Sequence, residues 1–541
     1  MLVVFIAGSF LNSCETTELN LTENPNILTE GDVNLLLNTV QLGYRNNVAT
    51  ASGLGGQLTR IQYMFGRDYF NNYPGATMNG IWNTTYSNIF TNLEAIENIN
   101  EESDINYDFH VAVAKIAQAH SLIILVDLLG TAAFTEAVNA EEFPAPMLDD
   151  GASVYEAALS ILSEAEALMS TNPATQGATD FYYDGDTSKW LKAINSIRLK
   201  AYKQTGNTAA FNAVIAGNNF ISSNEDDLQF TYGTNVLQPD TRHPDYATDY
   251  QPTGAGSYRS NWIMETMLEK EDPRIRYYFY RQVDGTPGSL DVNGDLVEPN
   301  EETLACSLAG VPQHYIDGGY TYCSVDNGYW GRSHGNDEGT PPDTFRRTAS
   351  GVYPAGGRFD DNSFDVVGLG LGGGGAGIEP MLLASWVDFW RGEMATSDAA
   401  RGTFLEAAMT KSIAKVQSFG ALDASADKSF EPTAAEVTDY ITGIVADYSA
   451  ATGDDKENIF AEQYWIALYG GSAESFNYYR KTGYPTTLTP NWEPEPGPFP
   501  RTFLLPQDEV ITNPNLEQRR SLTNQVFWDT NPASPAFPPA N

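Results

Sequence analysis

Residues Asp365–Met381 read "DVVGLGLGGGGAGIEPM", with seven glycines between positions 368 and 377. Gly368, Gly370 and Gly373 fit G-x-G-x-x-G, the turn that wraps a dinucleotide pyrophosphate in a doubly wound α/β sheet. The residues before them, Phe364 to Val367, could feed such a turn as a strand. Pro380 could sit in the first turn of the helix that follows, and Asp388 lies at a suitable distance downstream. That turn works only when parallel strands alternate with helices around it, and no such alternation surrounds it here. The reading is therefore a flexible connection that leads from a loop-rich middle back into a helical body, with no nucleotide bound.

Helical periodicity governs the rest of the chain. Asp108–Gly130, "DFHVAVAKIAQAHSLIILVDLLG", is apolar almost all round, as a buried helix would be. Ser153–Glu156 and Thr433–Glu436 each fit a capping box ahead of an amphipathic run. Further helices are predicted at 33–46, 82–98, 187–204, 380–396, 402–419 and 456–470. Trp190, Trp386, Trp390 and Trp465 lie on helical stripes and are expected in the core. Residues 225–378 differ, being rich in Gly, Pro, Tyr and Asp with few periodic runs. The expectation is a mainly α fold, with a helical body over about 30–220 and 380–520. Long irregular loops over about 225–378 carry the binding face.

The formal charge is −40, with 70 acidic and 30 basic residues and no basic tract, which argues against nucleic acids and acidic polysaccharides as ligands. At the N-terminus, Leu2–Leu11 is too short to span a bilayer, which takes roughly 20 residues. It leads into Leu11-Asn12-Ser13-Cys14, similar to a bacterial lipobox. Residues 1–13 then read as a signal peptide, Cys14 as a lipid anchor, and 14–541 as a single domain on the cell surface. In an exported chain the other two cysteines, Cys306 and Cys323, are expected to form a disulfide. His110, His120, His243, His314 and His334 are scattered, and no zinc spacing or nucleophile–base pair stands out.

Several blocks, in order, resemble the SusD/RagB family of nutrient-binding outer-membrane lipoproteins, in particular its SusD-like branch. They are Leu19–Asn26 "LNLTENPN", Ala114–Ala137 "AKIAQAHSLIILVDLLGTAAFTEA", Asp186–Tyr202 "DTSKWLKAINSIRLKAY" and "DPRIRYYF" from Asp272. Near the C-terminus follow Gln463–Pro485 "QYWIALYGGSAESFNYYRKTGYP" and Pro500–Asn515 "PRTFLLPQDEVITNPN". Thr131-Ala132-Ala133 departs from the Asp-Val-Pro usual there. The resemblance implies a helical scaffold with tetratricopeptide-like helix pairs. It also implies a non-enzymatic protein without cofactor that binds an oligomeric nutrient and passes it to a SusC-like TonB-dependent transporter barrel.

A neutral oligo- or polysaccharide presents apolar C–H faces and a rim of hydroxyls, which suit aromatic rings and Asn, Asp, Gln or Arg respectively. Two segments offer that mixture. The first, Gln62–Trp82, supplies Arg67, Asp68, Tyr69, Asn71, Asn72, Tyr73 and Trp82, the last of which could equally be packing. The second, Asp317–Gly339, supplies Tyr320, Tyr322, Asp326, Asn327, Tyr329, Trp330 and Arg332. Tyr329-Trp330 is the leading pair, with Cys323 bracing it. His334 with Asp337 or Glu338 could hold a metal, although a solvated loop accounts for them better. Asp291, Asn293, Asp295 and Glu302 fall at calcium-loop spacings, but Leu296 stands where glycine is needed, and Asn293-Gly294 argues for a type I′ hairpin. Arg480 and Arg501 are expected to pair with buried acids. The alternatives to a glycan binder are an oligopeptide binder on the same scaffold and a secreted helical glycoside hydrolase.

Overall fold

The computed structural model describes residues 32–298, 310–322, 325–338 and 342–533. Cys14, Cys306, Cys323 and Glu302 lie outside them, and with them the anchor, the disulfide and one calcium candidate. Half of the residues are helical and 5% are in strands, so the scaffold is mainly α, and among the described residues the sheets are two-stranded, with no doubly wound sheet.

Helix α1 (Val33–Leu58) starts at Asp32, whose side chain accepts the Asn34 N–H at 2.9 Å. A rod of three continuous segments follows: Asn79–Asn83, a π-helical stretch Thr84–Phe90, and α2 (Thr91–Glu102). Helix α3 (Asp108–Leu129) is buried nearly all round, as its composition requires, and ends where Gly130 adopts φ +75°. It packs on α1 and on α4 (Gly151–Met169). Next come α5 (Thr187–Thr205), paired with α6 (Thr208–Gly217), and α7 (Asn261–Glu269). The C-terminal half adds α8 (Ala384–Glu393) packed on α9 (Asp398–Ser418), then α10 (Ala434–Ala450), α11 (Asp454–Ala467) and α12 (Ala473–Thr482). One contiguous apolar core joins these helices, and Trp190, Trp386, Trp390 and Trp465 lie within it.

The capping box at Thr433 forms as expected, with Glu436 bonding back to the Thr433 N–H. The one at Ser153 does not. Asp150 caps α4 instead, accepting the Ala152 and Ser153 N–H groups, and moves the helix start to Gly151. Arg501 pairs with Asp529 in full burial. Arg480 instead donates to the Asp127 carbonyl at 2.8 Å and to Asn477 at 2.7 Å, and it lies 3.7 Å from the Phe476 ring centre.

The glycine tract is not the loose connection expected of it. Strand β1 (Leu228–Thr231) pairs antiparallel with β2 (Ile378–Leu382), so Pro380 lies in a strand opposite Gln229 and not in a helix. Just before β2 the tract lies backbone to backbone against Pro354–Gly357. The Gly373 and Gly375 N–H groups donate to the carbonyls of Gly357 and Gly356 at 3.1 and 3.0 Å, and Ile378 N–H donates to Pro354 at 2.8 Å. A Cβ on Gly377 would stand 2.0 Å from the Pro354 oxygen, and one on Gly372, at φ +65°, 2.2 Å from the Gly357 oxygen. Glycine is present because two main chains touch, which no side chain would permit.

Buried ion pairs fasten the irregular middle. Arg281 clamps Asp360 at 2.6 Å, Arg347 meets Asp343 at 2.7 Å, and Arg259 pairs with Asp249. The same region holds a small separate apolar cluster of Tyr246, Tyr250, Ala255, Tyr280, Ala349, Ala355 and Val367. Loops without a ladder of backbone bonds need such charge-assisted contacts to keep one shape. At Asp291–Asp295 a hairpin forms, but with a three-residue loop. Gly294 takes φ +83°, the Gly294 N–H bonds the Asp291 carbonyl, and Asp291 Oδ1 accepts the Asn293 and Asp295 N–H groups. That carboxylate is committed to its own turn.

Candidate ligand-binding site

The two segments singled out in the sequence meet in space. Gly335 N–H donates to the Met64 carbonyl at 3.0 Å, and Arg67 Nε lies 2.6 Å from Asp337. The rings expected to grip a ligand, however, mostly face inward. Tyr329 and Trp330 are only 3% and 4% exposed. Trp330 donates its indole N–H to Asp343 at 2.8 Å, while its main chain exchanges bonds with Thr348. Tyr329 lies under the Arg281 guanidinium. The small neighbours that suggested an exposed loop instead let the backbone press inward, since a Cβ on Gly331 would strike the Arg259 carbonyl at 2.4 Å.

Tyr69, Tyr73 and Trp82 are likewise buried, against Phe499, Phe503 and Tyr86. Asp68 caps the short helix Tyr69–Asn72, where Asn71 is exposed and Asn72 half-buried. Tyr322 and Asp326 are exposed and Tyr320 and Asn327 half-buried, but none of them lines the cavity described next. His334 is buried and not solvated. Its Nε2 is 3.2 Å from the Tyr69 hydroxyl, and burial together with Arg60 holds the ring well below its ordinary pKa. Among the described residues no cluster of three or more His, Cys, Asp or Glu could hold a metal.

A cavity of about 540 Å³ opens where α1, the loop after it, the 243–260 segment and β2 converge. Its aromatic lining is Tyr63, Phe65, Tyr258 and Tyr469. Phe65 is the exposed ring, at 59%. Tyr258 forms a stiff wall. Arg332 and Arg347 stand 4.4 and 3.9 Å from its ring centre, Tyr63 meets it edge-on at 5.8 Å, and its hydroxyl donates to Asp343 at 2.6 Å. Of the ligand residues expected from the sequence, Arg332 alone lines this cavity. Tyr63 and Phe65 lie inside the first segment, four and two residues before Arg67, among the apolar residues Tyr63-Met64-Phe65 that precede its polar run. Nothing local in the sequence marks Tyr258, Arg259 or Glu379, which distant segments bring to the cavity.

The polar part of the wall includes Gln57, Gln62, Ser52, His243, Asp245, Arg259, Arg332, Arg347 and Glu379. Burial drives the Glu379 carboxyl up to about 8, only partly offset by Arg45. Burial also lowers His243 to about 4. At neutral pH both groups are uncharged, so the charge of the wall is that of Asp245 and the guanidinium groups of Arg259, Arg332 and Arg347. Ser52 Oγ has no hydrogen-bond partner among the described residues, so it forms no nucleophile–base pair with His243.

Residues 25–300, half of the chain, match a SusD-like family described as "Starch-binding associating with outer membrane". No curated protein matches the chain. Among solved structures, a chitin-binding protein aligns at 18% identity with a TM-score of 0.60, covering 92% of this chain and 99% of its own. A SusD/RagB family protein of Bacteroides thetaiotaomicron aligns at 17% identity and 0.61, with the same coverages. A SusD homolog of Bacteroides fragilis aligns at 16% and 0.57, covering 90% and 94%. These likenesses carry the fold over nearly the full length, and family members bind nutrients without catalysis. The chain belongs to the SusD-like family of non-catalytic, outer-membrane nutrient-binding proteins.

Proposed function

We propose that this protein is a cell-surface lipoprotein, anchored through Cys14, that captures a neutral oligo- or polysaccharide and delivers it to a SusC-like TonB-dependent transporter. The observation that carries the glycan reading is the cavity itself. It combines an exposed ring at Phe65 with amide, hydroxyl and guanidinium groups from Gln57, Gln62, Ser52 and Arg332. That is the pairing of apolar face and polar rim that a sugar needs. The name of the chitin-binding relative agrees with an uncharged glycan, as does the −40 charge, which disfavours anionic chains.

An oligopeptide would instead be gripped through its backbone, and would not need the exposed ring. Titration calorimetry of the mature protein against neutral beta-glucan and chitin oligomers tests the reading, with random-sequence peptides as the comparison. Binding of the oligosaccharides, weakened by Phe65→Ala, is the expected result. Binding of peptides alone would replace the glycan reading with the peptide one. Capture from solubilised outer membranes should recover a large barrel, and recovery of none would refute the delivery role.

A further inference from the structure

Four buried groups from separate segments line the cavity. Ser52 comes from α1, His243 caps the short helix Pro244–Asp249, Arg259 precedes α7, and Glu379 lies on β2. All are at least nine-tenths buried, with exposures of 2%, 7%, 9% and 6%. Their hydrogen bonding is incomplete. Ser52 Oγ and Arg259 Nε have no partner among the described residues, and Glu379 Oε2 accepts one long bond, 3.3 Å, from the Tyr232 hydroxyl. Buried polar atoms left in this state are costly unless something arrives to meet them.

We propose that Glu379, with Ser52 and His243 of the same cavity wall, positions an oxygen-bearing edge of the bound sugar, a hydroxyl or a carbonyl, while Phe65 covers the apolar face. This rests on the glycan reading above and adds to it the residues that set the ligand's orientation. Arg45, Asp245, Tyr232 and Tyr353 act on Glu379 directly, and His243, Arg259 and Tyr469 line the same cavity. Arg45 is engaged over the Phe230 and Tyr232 rings, and Arg259 with Asp249 and Asp245. With its carboxyl raised to about 8, Glu379 carries a proton at neutral pH and can donate. The Nδ1 of His243 accepts the Asp245 N–H at 3.1 Å, which leaves the proton of the neutral ring on Nε2 as a second donor.

The test is calorimetry with neutral beta-glucan and chitin oligomers on the wild type, Glu379→Gln and Glu379→Ala, each checked for folding by circular dichroism. Loss of one such contact should weaken binding about tenfold in Glu379→Ala. Glu379→Gln keeps a donor and an acceptor and should stay within about threefold of the wild type at pH 7. Wild-type affinity should fall as pH rises through about 8, while that of Glu379→Gln stays level. A wild-type profile that is flat across that range overturns the assignment even if the alanine variant fails to fold. So does a folded Glu379→Ala that binds like the wild type. If the wild type binds no oligosaccharide, the glycan reading fails and this assignment with it, a result distinct from the other two.

Discussion

Trp330→Ala separates packing from binding at the position where sequence and structure disagree. An exposed Trp330 predicts lost affinity with little change in stability. The indole observed is 4% exposed and donates to Asp343 at 2.8 Å. Truncating a buried tryptophan costs about 3–5 kcal/mol. Losing a hydrogen bond to a carboxylate adds about 1.5–3 kcal/mol, partly contained in the first figure. Asp343 keeps Arg347 and Tyr258, so the total should be about 4–6 kcal/mol rather than the full sum. Trp330→Phe retains most of the packing and loses the donor, which places it at about 2 kcal/mol. Urea unfolding followed by tryptophan fluorescence measures both, with calorimetry on the folded fraction for affinity. Phe65→Ala should show the converse, with stability within about 0.5 kcal/mol and oligosaccharide binding weakened. A Trp330→Ala protein with an unchanged midpoint and abolished binding would refute the assignment of Trp330 to packing and restore it to the ligand face.

Two other perturbations probe the scaffold around the site. Glu474 is buried on α12 between Lys200 and Lys203, each 3.2 Å away; burial alone would raise its carboxyl, but the two ammonium groups bring it down to about 2. Since the folded value lies below the unfolded one, near 4.5, this stabilisation is complete above about pH 4.5 and lost as pH falls through about 2. It amounts to about 3 kcal/mol. Glu474→Gln should therefore be the less stable protein at pH 7 by that order, with the gap closing in acid, as unfolding at a series of pH values would reveal. Gly377→Ala should cost about 1–3 kcal/mol, because its methyl would meet the Pro354 oxygen at 2.0 Å, and it should also weaken ligand binding. An alanine variant with wild-type stability would show that the two main chains can part without cost.

The helical body was legible because its signals are local. Period and composition locate α3, and the Thr433–Glu436 capping box marks the start of α10. The same kind of signal missed at Ser153, where an aspartate three residues earlier competes for the same N–H groups and wins. The site was legible only by segment. Gln62–Trp82 and Asp317–Gly339 do converge, yet which ring faces the solvent depends on partners far away in sequence. Trp330 is drawn inward by Asp343 and Thr348, Tyr69 by His334 and Phe499. A Tyr or Trp among Gly, Asn and Asp marks an irregular backbone, and irregular backbone can be buried when side chains satisfy it.

Side-chain satisfaction also accounts for the rigidity of the site in a region with so few strands. Asp343 holds Arg347 at 2.7 Å, Tyr258 at 2.6 Å and Trp330 at 2.8 Å. One carboxylate thereby ties the buried indole to the cavity wall. Asp249 does the same for Arg259, and also accepts the Ser350 N–H at 2.9 Å and the Ser257 N–H at 3.0 Å. Each of these acids replaces several backbone bonds that a strand would have supplied. Asp343 and Asp249 thus serve as internal anchors, each matched to an arginine. Arg259, Arg332 and Arg347 reach the cavity, two of the three held by an anchoring aspartate. The net charge of −40 repels anions, while at the cavity Glu379 and His243 are uncharged and Asp249 and Asp343 offset Arg259 and Arg347. A neutral ligand meets no electrostatic obstacle at either level, and its selection then depends on shape and hydrogen bonding.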